Sequence, residues 1–125
     1  MILSINHIQL VAEKDLVIQL KDFYCDVVGL TEGFRPAFER FGYWLYIEDK
    51  DVLHLIIPKE GDDRSPEKSS FDHVAFKTAN YEGVLKKLKS LSIPFEEKPI
   101  PGMAAHQIFL RDPAGNRVEL NFDGD

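Results

Sequence analysis

The chain has 125 residues, 44% of them apolar, and a formal net charge of −6 at pH 7. That length suits one domain and is too short for two independent cores. The acidic balance argues against nucleic acid, which needs a basic face, and no apolar run approaches the roughly 20 residues of a membrane-spanning helix.

Residues 2–11 (ILSINHIQLV) read as a strand rich in β-branched side chains. The period then changes, with Leu16, Leu20, Phe23 and Val27 at helical spacing and Gly29 as a C-terminal cap. Three short strands are expected around 33–38, 41–48 and 51–57, with a tight turn at Asp49-Lys50-Asp51 between the last two. The stretch 59–70 (KEGDDRSPEKSS) is polar and linker-like. Residues 71–78 form the next predicted strand. A helix follows over 80–92, with Asn80 as N-cap, an apolar face of Val84, Leu85, Leu88 and Leu91, and a solvated face carrying Lys86, Lys87 and Lys89. Strands at 94–98, 105–111 and 116–122 close the chain, the last two joined by the turn Asp112-Pro113-Ala114-Gly115-Asn116.

Both halves therefore read strand, helix, three strands, and they align almost without gaps. His7 maps to His73 at an offset of 66, while Leu20, Phe23 and His54 map to Leu85, Leu88 and Glu119 at an offset of 65. The expected architecture is α+β: a single domain over 1–125 built of two βαβββ modules, 1–58 and 71–125, joined by the linker 59–70.

The matched positions carry chemistry. His7 and His73 lie on the first strand of each half, His54 and Glu119 on the last. Related by a pseudo-twofold axis, the four side chains can converge on one point. Imidazole with carboxylate suits Zn, Ni, Co, Mn or Fe(II) and disfavours Ca and Mg, which prefer oxygen shells. Four protein ligands on an octahedral ion leave two open positions, enough for a substrate with adjacent oxygens. Such an ion acts as a Lewis acid on a bound carbonyl. No organic cofactor is implied.

The segments NHIQLV (6–11), FYCDVVGL (23–30), DHVAF (72–76) and LRDPAGNRVELNF (110–122) resemble the vicinal oxygen chelate superfamily. That group includes glyoxalase I, extradiol dioxygenases, fosfomycin-resistance transferases and bleomycin-resistance proteins. The resemblance implies a glyoxalase-like fold, paired βαβββ modules in a cupped, partly open mixed sheet. It also implies a homodimer, in many small members with the metal site completed across the interface. His7, His73 and Glu119 match the superfamily's metal positions, and His54 stands where glyoxalase I carries a second Glu.

Departures from the pattern narrow the function. Val11 replaces the Arg with which glyoxalase I anchors the glutathione carboxylate, and Pro58 replaces an Asn that accompanies it. Gln9 stands where fosfomycin transferases carry Thr or Cys. The intact ligand set argues against a protein that only sequesters a drug.

Beyond the metal ligands, Glu119 is a candidate base on a substrate carbon and His54 its proton-transfer partner. His106 is a third candidate catalytic group. Gln9 alternates with His7 and should face the same cavity. Tyr43, with Trp44 and Tyr46, is a candidate pocket aromatic, and Arg35 and Arg40 are candidates for a substrate carboxylate. The single Cys25 excludes an internal disulfide and reads as a packed, inert thiol. With no signal-peptide pattern in MILSINHIQL, the expectation is a cytoplasmic, metal-dependent lyase or isomerase working through a metal-stabilised enolate on a small vicinal-oxygen substrate. The alternatives are a non-haem Fe(II) extradiol-type dioxygenase and a non-catalytic small-molecule binding or resistance protein.

Overall fold

A computed structural model describes residues 1, 3–62, 73–99 and 106–123. Most of the predicted linker, the first two residues of the strand expected at 71–78 and the first of that at 105–111 lie outside them. The chain divides into two compact units, Met1–Lys68 and Ser69–Asp125.

In the first unit, β1 (Ile8–Val11) leads to helix α1 (Lys14–Phe23), then to β2 (Thr31–Gly33), β3 (Gly42–Ile47) and β4 (Lys50–Ile56). These strands form one mixed sheet in the order β1-β4-β3-β2. β4 returns alongside β1 in parallel, while β3 pairs antiparallel with β2 and β4. α1 has an apolar stripe, and it buries Val17, Leu20 and Phe23, with Leu45, Leu53 and Leu55 buried on β3 and β4. Each such fully buried side chain contributes roughly 1.5–3 kcal/mol of transfer free energy. The helix does not stop at Phe23. It widens into a π-helical turn, Tyr24–Val28, and ends at Gly29, whose φ of 104° only glycine adopts without strain. Cys25 lies in that turn as a free thiol, and burial pushes its pKa up.

The second unit repeats the plan: β5 (His73–Thr78), α2 (Tyr81–Ser90), β6 (Glu96–Pro99), β7 (His106–Arg111) and β8 (Arg117–Phe122), with sheet order β5-β8-β7-β6. Asn80 caps α2 by accepting from the Gly83 N–H at 3.2 Å. Gly83 leaves room for that cap, since a Cβ there would meet the Asn80 amide at 2.3 Å and displace it. Buried Leu85 and Leu88 on α2, with Ile108, Leu110, Val118, Leu120 and Phe122 on β7 and β8, make this unit's core. The Asp112 turn is held by a buried carboxylate. Asp112 Oδ1 accepts from the Ala114 and Asn116 N–H groups, and Oδ2 from the Asn116 amide.

The fold is therefore α+β, with two four-stranded mixed sheets of identical strand order, as the paired βαβββ reading expects. The first strand is shorter than expected: residues 3–7 precede β1 without strand pairing. The strand expected at 33–38 is instead Thr31–Gly33. Among the described residues no helix is long and apolar enough to cross a membrane.

Candidate metal-ligand pairs and substrate pocket

Strand register decides which side chains share a face. In the first sheet Gln9 sits beside His54 on the parallel β1–β4 pair, and Trp44 lies opposite His54 on β3. Side chains directly abreast share a face. Gln9, Trp44 and His54 thus form one face, while Leu45, Leu53 and Leu55 belong to the other. In the second sheet Ala75 sits beside Glu119, and Phe109 lies opposite it. The two registers are the same register: Gln9–His54 becomes Ala75–Glu119 under the offsets that align the halves.

The first unit brings His7 and His54 together. Their rings stack with centroids 3.8 Å apart, and His54 stacks in turn on Trp44 at 4.1 Å. The imidazole of His54, 7% exposed, is thus sandwiched between two rings. Its Nε2–H donates to Asp51 Oδ2 at 2.7 Å, and His7 Nδ1–H donates to Asn6 Oδ1 at 2.8 Å. Burial is the largest influence on His54 and lowers its pKa against the opposing pull of Asp51. Each imidazole therefore has one nitrogen held by an oxygen acceptor, and the other is the one it can turn to a metal. That is how metal-ligating histidines are usually held.

Asp51 reaches His54 because β4 is irregular. Leu45 pairs with Leu53 but Tyr46 with Asp51, which leaves Val52 as an extra residue. Three residues apart on a regular strand, Asp51 and His54 would face opposite ways. The bulge puts both on the Trp44 face. No motif in the sequence announces it.

The second unit brings His73 and Glu119 together. His73 Nε2 stands 3.4 Å from Glu119 Oε1, a separation that suits two donors each about 2.1 Å from one ion. Glu119, 6% exposed, has its other oxygen fixed by the Asn121 amide at 3.0 Å. Lys77 Nζ in turn donates to Asn121 Oδ1. Asn121 has the strand parity of Glu119, which is the signal that could have singled it out.

The structure thus brings the candidate ligands together as two pairs. Among the described residues no group of three or more His, Cys, Asp or Glu side chains is gathered. The donor chemistry of both pairs fits a divalent transition ion: two imidazoles in one unit, an imidazole and a carboxylate in the other.

Two sequence candidates fall elsewhere. Tyr43 pairs with Leu55, on the face turned to α1, where Lys21 Nζ lies 5.5 Å above its ring. Trp44 takes the pocket position instead. His106 pairs with Phe122, so it lies on the core face of its sheet, opposite to Glu119, and its ring stacks on Tyr81 of α2 at 4.4 Å. The Tyr81 hydroxyl donates to Glu97, which pushes the phenol pKa up to about 12.

The His54 face also borders a cavity of about 560 Å³, lined by Gln9, Trp44, His54, Arg35, Arg40 and Phe38 among others. Gln9 lines this cavity beside His54.

The profile of the Glyoxalase/Bleomycin resistance protein/Dioxygenase superfamily matches residues 4–120. The chain belongs to this superfamily. Among solved structures, a glyoxalase family protein from Bacillus anthracis superposes with a TM-score of 0.74 at 21% identity, covering 98% of this chain and 97% of that one. Lactoylglutathione lyase from Agrobacterium tumefaciens gives 0.68 at 21% identity, over 95% and 92% of the chains. A mutant of the fosfomycin resistance protein FosX from Listeria monocytogenes, complexed with Mn(II) and a dihydroxypropylphosphonic acid, gives 0.72 at 15% identity, over 98% and 94%. No curated protein matches by sequence. At these identities the structural likeness establishes the glyoxalase-like fold. The superfamily includes lyases and resistance enzymes, and at least one structural neighbour binds a divalent metal.

Proposed function

We propose that His7, His54, His73 and Glu119 are ligands of one divalent metal ion (Zn, Ni, Co, Mn or Fe(II)), and that the protein is a metal-dependent lyase or isomerase acting on a small substrate with vicinal oxygens. The observation that carries this reading is the repeated register: His54 and Glu119 hold equivalent places on the last strand of their units, and His7, immediately before β1, matches His73 at the start of β5. A buried His or Glu without function is costly to keep, and two at matched positions are harder still to ascribe to packing.

When bound, the ion supplies Lewis-acid stabilisation of negative charge developing on a substrate oxygen. The remaining roles fall to the chain itself. Asn121 orients the Glu119 carboxylate by donating to its Oε2, and that carboxylate, leaving or sharing the metal, takes a proton from a substrate carbon and returns it at the neighbouring position. His54, kept neutral by burial, has a lone pair to offer. Gln9 offers an amide to the substrate. The homodimer and the cytoplasmic location are part of the same reading, supported by the family likeness and by the lone Cys25.

One observation favours a second reading. His54 is enclosed between the rings of His7 and Trp44. If it does not ligate, His7, His73 and Glu119 make a two-His-one-carboxylate set, the donor set of non-haem Fe(II) oxygenases. Replacement of the native ion by Co(II) separates the two. Four-ligand binding predicts a visible spectrum that changes, with weakened affinity, in His54→Ala. An unchanged spectrum and affinity favours the dioxygenase. Absence of any Co(II) spectrum in the unmutated chain overturns both and leaves a small-molecule binding protein.

A further inference from the structure

Between β2 and β3 the chain runs along the edge of the cavity in the first unit and contributes two arginines to it. Arg35 Nη2 donates to the Arg40 carbonyl at 2.9 Å, and Arg40 Nη1 donates to the Ile57 carbonyl at 3.0 Å. Both guanidinium groups are thus fixed by neutral main-chain oxygens. Gly42 permits the close approach, since a Cβ there would stand 3.1 Å from Arg35 Nη2 and 2.2 Å from the Leu55 carbonyl. Arg35 Nε is buried and has no hydrogen-bond partner. Glu39 and Glu60 also line the cavity, yet neither forms an ion pair with either arginine among the described residues.

Two fixed, like-charged guanidinium groups and an unmatched buried N–H, in a chain of net charge −6, form an incomplete arrangement. A small oxyanion offsets the two positive charges: guanidinium presents its donors as a fork that matches carboxylate or phosphonate oxygens. Burial and then the neighbouring Arg40 lower the pKa of Arg35, with no carboxylate acting in the other direction. Beside the arginines stand apolar ring surfaces, Trp44 and Phe38, with Phe38 carrying Arg35 5.1 Å from its centroid.

We propose that this cavity is a binding site for a small organic oxyanion, whose carboxylate or phosphonate is held by Arg35 and Arg40 and whose apolar body lies on Trp44. Because His54 lines the same cavity, the site takes the anionic end of the substrate, a clause that rests on the metal-enzyme reading above. Anion binding itself does not depend on the metal, which makes the two separable.

Trp44 is the chain's one tryptophan, so its fluorescence reports directly on occupancy. The experiment titrates the full-length, metal-stripped protein with benzoate, phenylphosphonate and neutral benzamide. The expected result is a saturable change with one or both anions, weaker at high ionic strength, and none with benzamide; the tighter anion names the acid class. Arg35→Gln and, independently, Arg40→Lys weaken binding by about tenfold or more, the second because a point charge cannot replace the fork. Circular dichroism identifies a variant that fails to fold, and the other variant then decides. Absence of response to either anion, or an equal response to benzamide, overturns the proposal. Anion binding by a protein that takes up no metal sinks the metal reading and leaves this site standing; metal uptake without anion binding does the reverse.

Discussion

Asp51 and His54 are joined, Oδ2 to Nε2, at 2.7 Å across a bulge that places both on the same face of the first sheet. The bond sets the His54 tautomer, since a carboxylate oxygen can only accept, and so leaves Nδ1 as the ring's lone pair. It also draws the Asp51 carboxyl below its usual range.

Asp51→Ala is therefore expected to leave the fold intact and to weaken metal affinity by roughly 10–100-fold, the usual cost of losing a histidine's outer partner. Nitrogen NMR of the imidazole in metal-free protein should show the Nε2–H tautomer in the parent chain and a mixture in the variant. Unchanged affinity and tautomer would remove Asp51 from the account.

Glu119 and Asn121 make a graded pair. Glu119→Gln should abolish turnover and sharply weaken metal binding. Asn121→Ala, which frees one carboxylate oxygen without removing a donor, should retain metal and lose activity by a factor nearer ten. Metal competition measured beside activity separates the two effects.

The β7–β8 hairpin depends on Asp112, whose buried carboxylate accepts three hydrogen bonds. Asp112→Ala leaves those donors unmatched and should destabilise the protein by about 2–4 kcal/mol, read as a lower urea midpoint. A change under about 0.5 kcal/mol would show that the turn holds without it.

Tyr81 gives a pH signature. Its phenol is raised from 10.0 to about 12 chiefly by Glu97. The folded state keeps the proton more tightly than the unfolded chain. The resulting stability is therefore whole below pH 10 and is lost as pH rises towards about 12. Phenolate absorption should show one late-titrating tyrosine, absent in Tyr81→Phe and shifted down in Glu97→Gln.

Much of this architecture was legible from spacing alone. The offsets of 65 and 66 reappear as the register that puts His54 beside Gln9 and Glu119 beside Ala75, because the pleat and the parallel pairing preserve sequence distance. Face assignment was harder. In Gly42–Ile47 both alternating sets are apolar, Tyr43 and Leu45 against Trp44 and Tyr46, so hydrophobicity could not tell pocket from core. In His106–Arg111 the parity was readable, since His106 shares it with buried Ile108 and Leu110. The Val52 bulge and the π-helical turn were not, because each inserts a residue into a regular period without a distinguishing side chain.

The most direct test of the central claim is elemental analysis of the protein purified without an affinity tag or added metal, beside His73→Ala. The account predicts about one transition-metal ion per chain in the parent and little in the variant. A parent chain that holds none, even after incubation with Zn, Ni, Co, Mn and Fe(II), would contradict it.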